Sequence, residues 1–410
     1  MHDERQLDQQ LQDRIFAELD KLPLPKHRKQ ALAPLLLQFV QRANHPRFAR
    51  HHGRMFSGSR RLDFAIKLEA LRKRFGSHGF SDESFIRAVL RQPPVFFRSA
   101  AAMIANIEGV VQHFATQGLT VDDYLRAALR QPTLFALRPN AAIAAIEGVA
   151  GHFTEYGLTI DQYLRAAVKQ PGLFTLKPMT TIANIEGTVR RLGRHGLTTR
   201  TYLRAALKHP PLFSQSPATI VRNLEGVVLH FAADGLAIQA YVTAAVRQPT
   251  LFSLRPATSI HNIEQVTDYF ANQSLTTQAY LQAALKQPSL FYQRPSTIIA
   301  NVEQVVARFV DDGLCVRDYL QSALRFPQLL CQRPSTLIAN VSGAIGVFRT
   351  YGVSARSYLT LALARPQLFS QNPCTLSSDN RLIRSMRNRG LLSAESAHEL
   401  TTARNDSPRK

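Results

Sequence analysis

The sequence predicts an all-α protein: a right-handed α-solenoid of about eight helical-hairpin repeats closed by N- and C-terminal caps. Three observations lead there. A proline recurs every 39 residues, at Pro93, Pro132, Pro171, Pro210, Pro249, Pro288, Pro327 and Pro366, and no insertion interrupts the series. Each unit holds two apolar patterns of helical period, one on either side of that proline. No run in the unit alternates apolar and polar residues as a half-buried strand would.

Residues 118–156 show how local chemistry sets each element. Thr120 is an N-cap, its hydroxyl able to accept from a free helix N–H. A first helix is expected over 121–131, with Leu125, Ala128 and Leu129 on one face. Pro132 ends it, because the residue before a proline is driven out of the α region. Leu134 and Phe135 make an apolar corner, expected as one tight 3₁₀ turn. Pro139 suits the first position of a second helix, where its missing N–H costs nothing. That helix is expected over 140–155, burying Ile143, Ile146, Val149, Ala150 and Phe153. Gly157 fits the left-handed position after it, and Leu158 closes a Schellman motif. A single hairpin cannot bury its apolar side, but stacked copies cover one another. The Leu-Phe corner, repeated from Leu134-Phe135 to Leu368-Phe369, is the expected continuous core.

Three segments follow from this reading: a basic N-terminal cap over 1–78, the repeat array over 79–390, and a polar tail over 391–410. Within the first, Leu11, Ile15, Phe16 and Leu19 could share a helix face, and helices are expected over 31–43 and 62–75. No acidic residue occurs between Asp20 and Asp63, and 44–61 reads as a basic, flexible linker. It is either a solvated loop or an arm that orders on phosphate. After Pro373 the apolar second helix gives way to a polar, basic one over 375–389, as a solenoid end requires, and residues from 393 onward read as frayed.

A net charge of +21 and a pI near 10.5 point to acidic partners: nucleic acid first, then anionic membrane surfaces or acidic proteins. Cys315, Cys331 and Cys374 have no disulfide or metal-ligand spacing. No apolar run approaches the roughly 18 residues of a membrane helix. The polar start MHDERQLDQQ resembles neither a secretory signal nor a transit peptide, so an intracellular site is expected, cytoplasmic or at the nucleoid or nucleus, with translocation into a host cell left open. There is no phosphate-cradling Gly loop, metal motif or nucleophile elbow. The expectation is therefore a non-enzymatic protein with no cofactor and no evident small-molecule substrate.

Stacking would turn each repeat position into a line. Two residues before the marker proline stand Arg91, Arg130, Lys169, Lys208, Arg247, Lys286 and Arg325. Six residues after it stand Arg138, Lys177, Arg255, Arg294 and Arg333. A third line, one helical turn before the first, contains Arg126, Arg165 and Arg204. Such a stripe suits a phosphate backbone, whose contacts dominate nucleic-acid affinity. A line of Glu also recurs, including Glu108, Glu147, Glu186, Glu225, Glu264 and Glu303. If these acids pair with the stripe across repeats, the cations become inter-repeat links instead. An Asn line (Asn106, Asn184, Asn223, Asn262, Asn301 and Asn340) could form a structural ladder or bond base edges. The variable positions four residues after the proline, Phe97 to Ser370, are candidates for position-by-position readout. His113, His152 and His230 share a column that tolerates Arg and Tyr, which reads as a surface face.

The unit at 274–309, SLTTQAYLQAALKQPSLFYQRPSTIIANVEQVVARF, resembles the repeat of the mitochondrial transcription termination factors. That family also pairs helices about a central proline and an apolar corner, followed by a Leu/Ile/Val-striped helix and a Gly-Leu step. The resemblance covers about 79–389 and implies an all-α superhelix whose basic concave groove binds duplex DNA or RNA. On this chain it would place groove contacts at Arg130, Lys169, Lys208, Arg247, Lys286 and Arg325. The uniformity of the units and their Gly-Leu-Thr step are also similar to bacterial effector repeats, including the transcription activator-like effectors. A protein-interaction scaffold, such as a secreted bacterial effector, is the alternative reading.

Overall fold

The computed structural model describes residues 13, 17, 20, 25–44, 64–92, 94–95, 98–376 and 379–402. The expected linker over 44–61 except Asn44, which ends a helix, lies outside these, as do Leu11, Ile15, Phe16, Leu19, the marker Pro93, Phe97 and the last eight residues. Among the described residues the protein is all-helical, with no strand.

The hairpin is built as its caps dictate. The first helix is Val121–Arg130, and the Thr120 hydroxyl accepts from the Asp123 amide. The corner is one α turn at Thr133–Ala136, Thr250–Ser253 and Gln328–Cys331. It is the expected 3₁₀ turn at Pro171–Phe174, Pro210–Phe213, Pro288–Phe291 and Pro366–Phe369. The second helix, Pro139–His152, stops short of residue 155 because its last turn tightens into the 3₁₀ segment Thr154–Tyr156. Gly157 takes φ +86°, the Leu158 amide bonds the Phe153 carbonyl and the Gly157 amide bonds Thr154, which completes the Schellman motif. At the same place in a later repeat Ser274 adopts φ +64° with the same two bonds, so the motif is strong enough to hold a residue with a Cβ there.

The chain divides into two compact units, Met1–Gly187 with Thr199–Ser216, and Thr188–Thr198 with Pro217–Lys410. In the first, the first helices Asp82–Arg91, Val121–Arg130, Ile160–Lys169 and Thr199–Lys208 pack in chain order. The helices Phe64–Phe75, Ala100–His113 and Pro139–His152 form a second layer. Helix Lys26–Asn44, longer than expected, packs on Asp82–Arg91 with Leu32 and Ala33 buried. The second unit repeats the plan. Ile238–Arg247, Thr277–Lys286, Val316–Arg325 and Ala355–Ala364 form one layer, and Pro217–His230, Pro256–Tyr269, Pro295–Phe309 and Pro334–Arg349 the other. The sequence reading treats everything after 393 as frayed. Instead Ala394–Thr402 is a helix packed on Asn380–Asn388, with Ala397 and Leu400 buried, because its apolar residues recur at helical spacing.

The Leu-Phe corners are buried throughout, and between them runs a second column absent from the expected core: Tyr124, Tyr163, Tyr202, Tyr241, Tyr280, Tyr319 and Tyr358, the largest fully buried side chains. Each unit uses it to join neighbouring repeats. Tyr124 meets Phe174 edge-on at 5.1 Å and Tyr163 meets Phe213 at 5.0 Å. Tyr241 meets Phe291 at 4.9 Å and Tyr319 meets Phe369 at 5.4 Å. Edge-on aromatic pairs add about 0.5–1.5 kcal/mol beyond area burial. The hydroxyls differ. Tyr280 donates to the Leu290 carbonyl at 3.3 Å, whereas the buried Tyr319 hydroxyl has no hydrogen-bond partner. Tyr280→Phe is therefore expected to lower stability by about 1 kcal/mol, and Tyr319→Phe to leave it unchanged or raise it. Denaturant midpoints of the two variants check this, and equal losses would contradict it.

Glycine supports the second layer by absence of bulk. A Cβ on Gly148 would lie 2.9 Å from Pro178, and one on Gly226 2.7 Å from Pro256. These helices thus approach the proline that opens the following second helix. Alanine is the better helix former by about 1 kcal/mol. Overpacking of about 1–3 kcal/mol outweighs that gain, so Gly226→Ala is expected to lower the melting temperature. A higher melting temperature would show that the proline yields.

Candidate nucleic-acid interface

In an antiparallel hairpin the C-terminal end of the first helix, the corner and the N-terminal end of the second helix share one edge. Two of the three basic lines fall there by construction. All fifteen candidate cations, Arg91, Arg126, Arg130, Arg138, Arg165, Lys169, Lys177, Arg204, Lys208, Arg247, Arg255, Lys286, Arg294, Arg325 and Arg333, are exposed.

The line before the proline has a structural duty that the sequence did not reveal. Its arginines reach the next repeat and donate to the last carbonyls of that repeat's first helix. Arg91 Nη2 bonds the Leu129 carbonyl at 2.7 Å. Arg130 bonds the carbonyls of Val168 and, at 3.3 Å, Lys169. Arg247 bonds Leu285 and, at 3.3 Å, Lys286. Arg325 bonds Leu363 and, at 3.2 Å, the Ser322 hydroxyl. These carbonyls have no partner inside their own helix and sit at the negative end of its dipole. The guanidinium satisfies them while keeping its full charge, since a carbonyl is not an anion.

The second line occupies the N-cap of the second helices. Arg138, Arg255, Arg294 and Arg333 each precede a proline at the first helical position, and none caps with its side chain. Ser99, in the same column, does cap, accepting from the Ala102 amide at 3.2 Å. The arginine-bearing ends present helix amides beside a cation, an arrangement that favours anions. The third line is partly neutralised within its own helix: Arg165 pairs with Asp161 at 2.7 Å and Arg126 with Asp123 at 3.6 Å.

The Glu line does not pair with any of the three. Glu147 pairs with His113 at 2.7 Å, Glu186 with His152 at 2.9 Å and Glu264 with His230 at 2.7 Å. Glu108 pairs with Arg74, and Glu303 accepts from the Tyr269 hydroxyl. The column that holds the histidines is thus the partner of the Glu column, each link joining second helices of adjacent repeats, although among the described residues Glu225 makes no such link to Arg191. Among the described residues, no carboxylate lies within ion-pair distance of the first two basic lines.

The other candidate readers are engaged in the fold. Asn106, Asn223 and Asn301 donate to the corner carbonyls of Phe135, Phe252 and Leu330, and Asn340 to that of Ser370, a structural ladder. At the variable corner position, Thr175, Ser214 and Ser370 donate back to carbonyls of their own turn, and Tyr292 accepts from Gln248 at 3.0 Å. Among the described residues no group of three His, Cys, Asp or Glu side chains could hold a metal, and no helix is long and apolar enough to cross a membrane. No protein-family model matches the chain, and comparison with curated proteins finds no match.

Proposed function

We propose that this is a non-enzymatic, nucleic-acid-binding protein, an α-solenoid of about eight repeats that holds a phosphate backbone along its corner edge and regulates gene expression, as the likeness to the transcription termination factor repeat implies. One observation carries the reading. Five of the six acids of the Glu column pair with His, Tyr or Arg on the second helices, and none of the six lies within ion-pair distance of the corner cations among the described residues, so the edge keeps its positive charge. Phosphate contact needs charge and exposure more than a particular side-chain geometry, and both lines have them. The scaffold alternative would be favoured by an apolar line along the repeats. The exposed large hydrophobic side chains Ile66, Tyr156, Met179, Leu229, Tyr269, Tyr292 and Val310 occupy different repeat positions and make no such line.

Electrophoretic mobility with duplex DNA, single-stranded DNA and RNA over a salt series tests the reading. Binding whose logarithm falls linearly with the logarithm of salt supports it. Absence of binding to all three, or binding indifferent to salt, would overturn it.

A further inference from the structure

In the second unit the inter-repeat link between second helices forms at two successive places and then stops. His230 pairs with Glu264 and Tyr269 with Glu303, but the next residue in the column, Arg308, faces a repeat in which Ser342 stands where the Glu would be. Beside this gap lies a half-open cavity of about 520 Å³. Arg308, Arg349 and Arg356 line it, with Ser342, Asp311 and Asp312. Arg308 lies over the Phe309 ring, 5.2 Å from its centroid. Arg356 packs over Gly313, its Nε 3.4 Å from where a Cβ would be. Ser342, Gly346 and Arg349 share one face of helix Pro334–Arg349, and a Cβ on Gly346 would meet nothing within 4 Å. None of the three arginines has a carboxylate within ion-pair distance among the described residues.

We propose that this cavity binds a small phosphorylated polyol, such as a sugar phosphate. Its volume falls within the range of about 300–1,000 Å³ usual for small-molecule sites. Three guanidinium forks can together donate to a tetrahedral phosphate, whereas a planar carboxylate is satisfied by one or two. With two aspartates against three arginines the site has one surplus positive charge, which suits a single phosphate group rather than a polyanion. The aspartates accept hydrogen bonds and would take hydroxyl groups beside the phosphate. The site lies at the Gly-Leu turn end of its repeats, away from the corner edge, and stands whether or not that edge binds nucleic acid.

Calorimetric titration of the full chain with glucose 6-phosphate, inorganic phosphate and sulfate tests it. One saturable site is expected, with glucose 6-phosphate bound more tightly than phosphate or sulfate. Arg308→Gln is expected to weaken binding at least tenfold. Ser342→Glu restores the Glu column and gives Arg308 a partner, so it is expected to weaken binding equally while keeping helix content and melting temperature. The triple variant Lys169→Gln, Lys177→Gln and Lys208→Gln on the corner edge is expected to bind as the parent does. Unchanged affinity in Ser342→Glu, loss of binding in the corner variant, or no saturable binding would each overturn the proposal.

Discussion

Titration above about pH 10 is expected to unfold the protein steeply, with loss of helix and release of tyrosinate in a single transition below about pH 12. Burial raises the phenol pKa of Tyr124, Tyr163, Tyr280, Tyr319 and Tyr358, and lifts that of Tyr241 to about 12. A phenol whose folded pKa lies above its unfolded value contributes stability that is fully present below the unfolded pKa. That contribution is lost as pH rises toward the folded one. Each such residue costs about 1.4 kcal/mol of stability per pH unit in that window. Four of the six belong to the second unit, which therefore loses roughly 5–6 kcal/mol per pH unit. That is comparable with the roughly 5–15 kcal/mol total stability of a folded domain. Circular dichroism and tyrosinate absorbance followed together check the expectation. Gradual ionisation with helix content intact would show that the column admits the phenolate.

Replacing Lys169, Lys177 and Lys208 by Gln is expected to weaken nucleic-acid binding about 100-fold near physiological salt. The slope of log affinity against log salt should shrink by about three, one unit per lost phosphate contact. Helix content should not change, because these lysines are exposed. Arginines of the same line behave differently. Arg130→Gln removes the donor that satisfies the Val168 and Lys169 carbonyls, so it should lower stability as well as affinity. An unchanged salt slope in the lysine variant would place any nucleic-acid contact elsewhere on the chain.

Most of the hairpin could be read from residue order because its signals act over one to five residues. Thr120 caps a helix that starts at the next residue, Pro132 stops it, and Gly157 with Leu158 closes the following one through bonds spanning three and five positions. The period itself needs only counting. The tyrosine column was equally visible in the sequence, yet a polar hydroxyl hides how fully such a ring can be buried.

What folding alone decided is which charges stay available. Glu147 could have neutralised Arg130 or joined His113, and both outcomes are compatible with the same order of residues. The choice depends on the offset between neighbouring hairpins, which brings side chains 34 positions apart together along the second helices. The same offset sets arginines against carbonyls 38 positions away along the first helices. Local propensity carries no information about that offset. It is fixed when the Leu-Phe corners and tyrosines of adjacent repeats close-pack, and the surface charges take the partners that this packing leaves within reach.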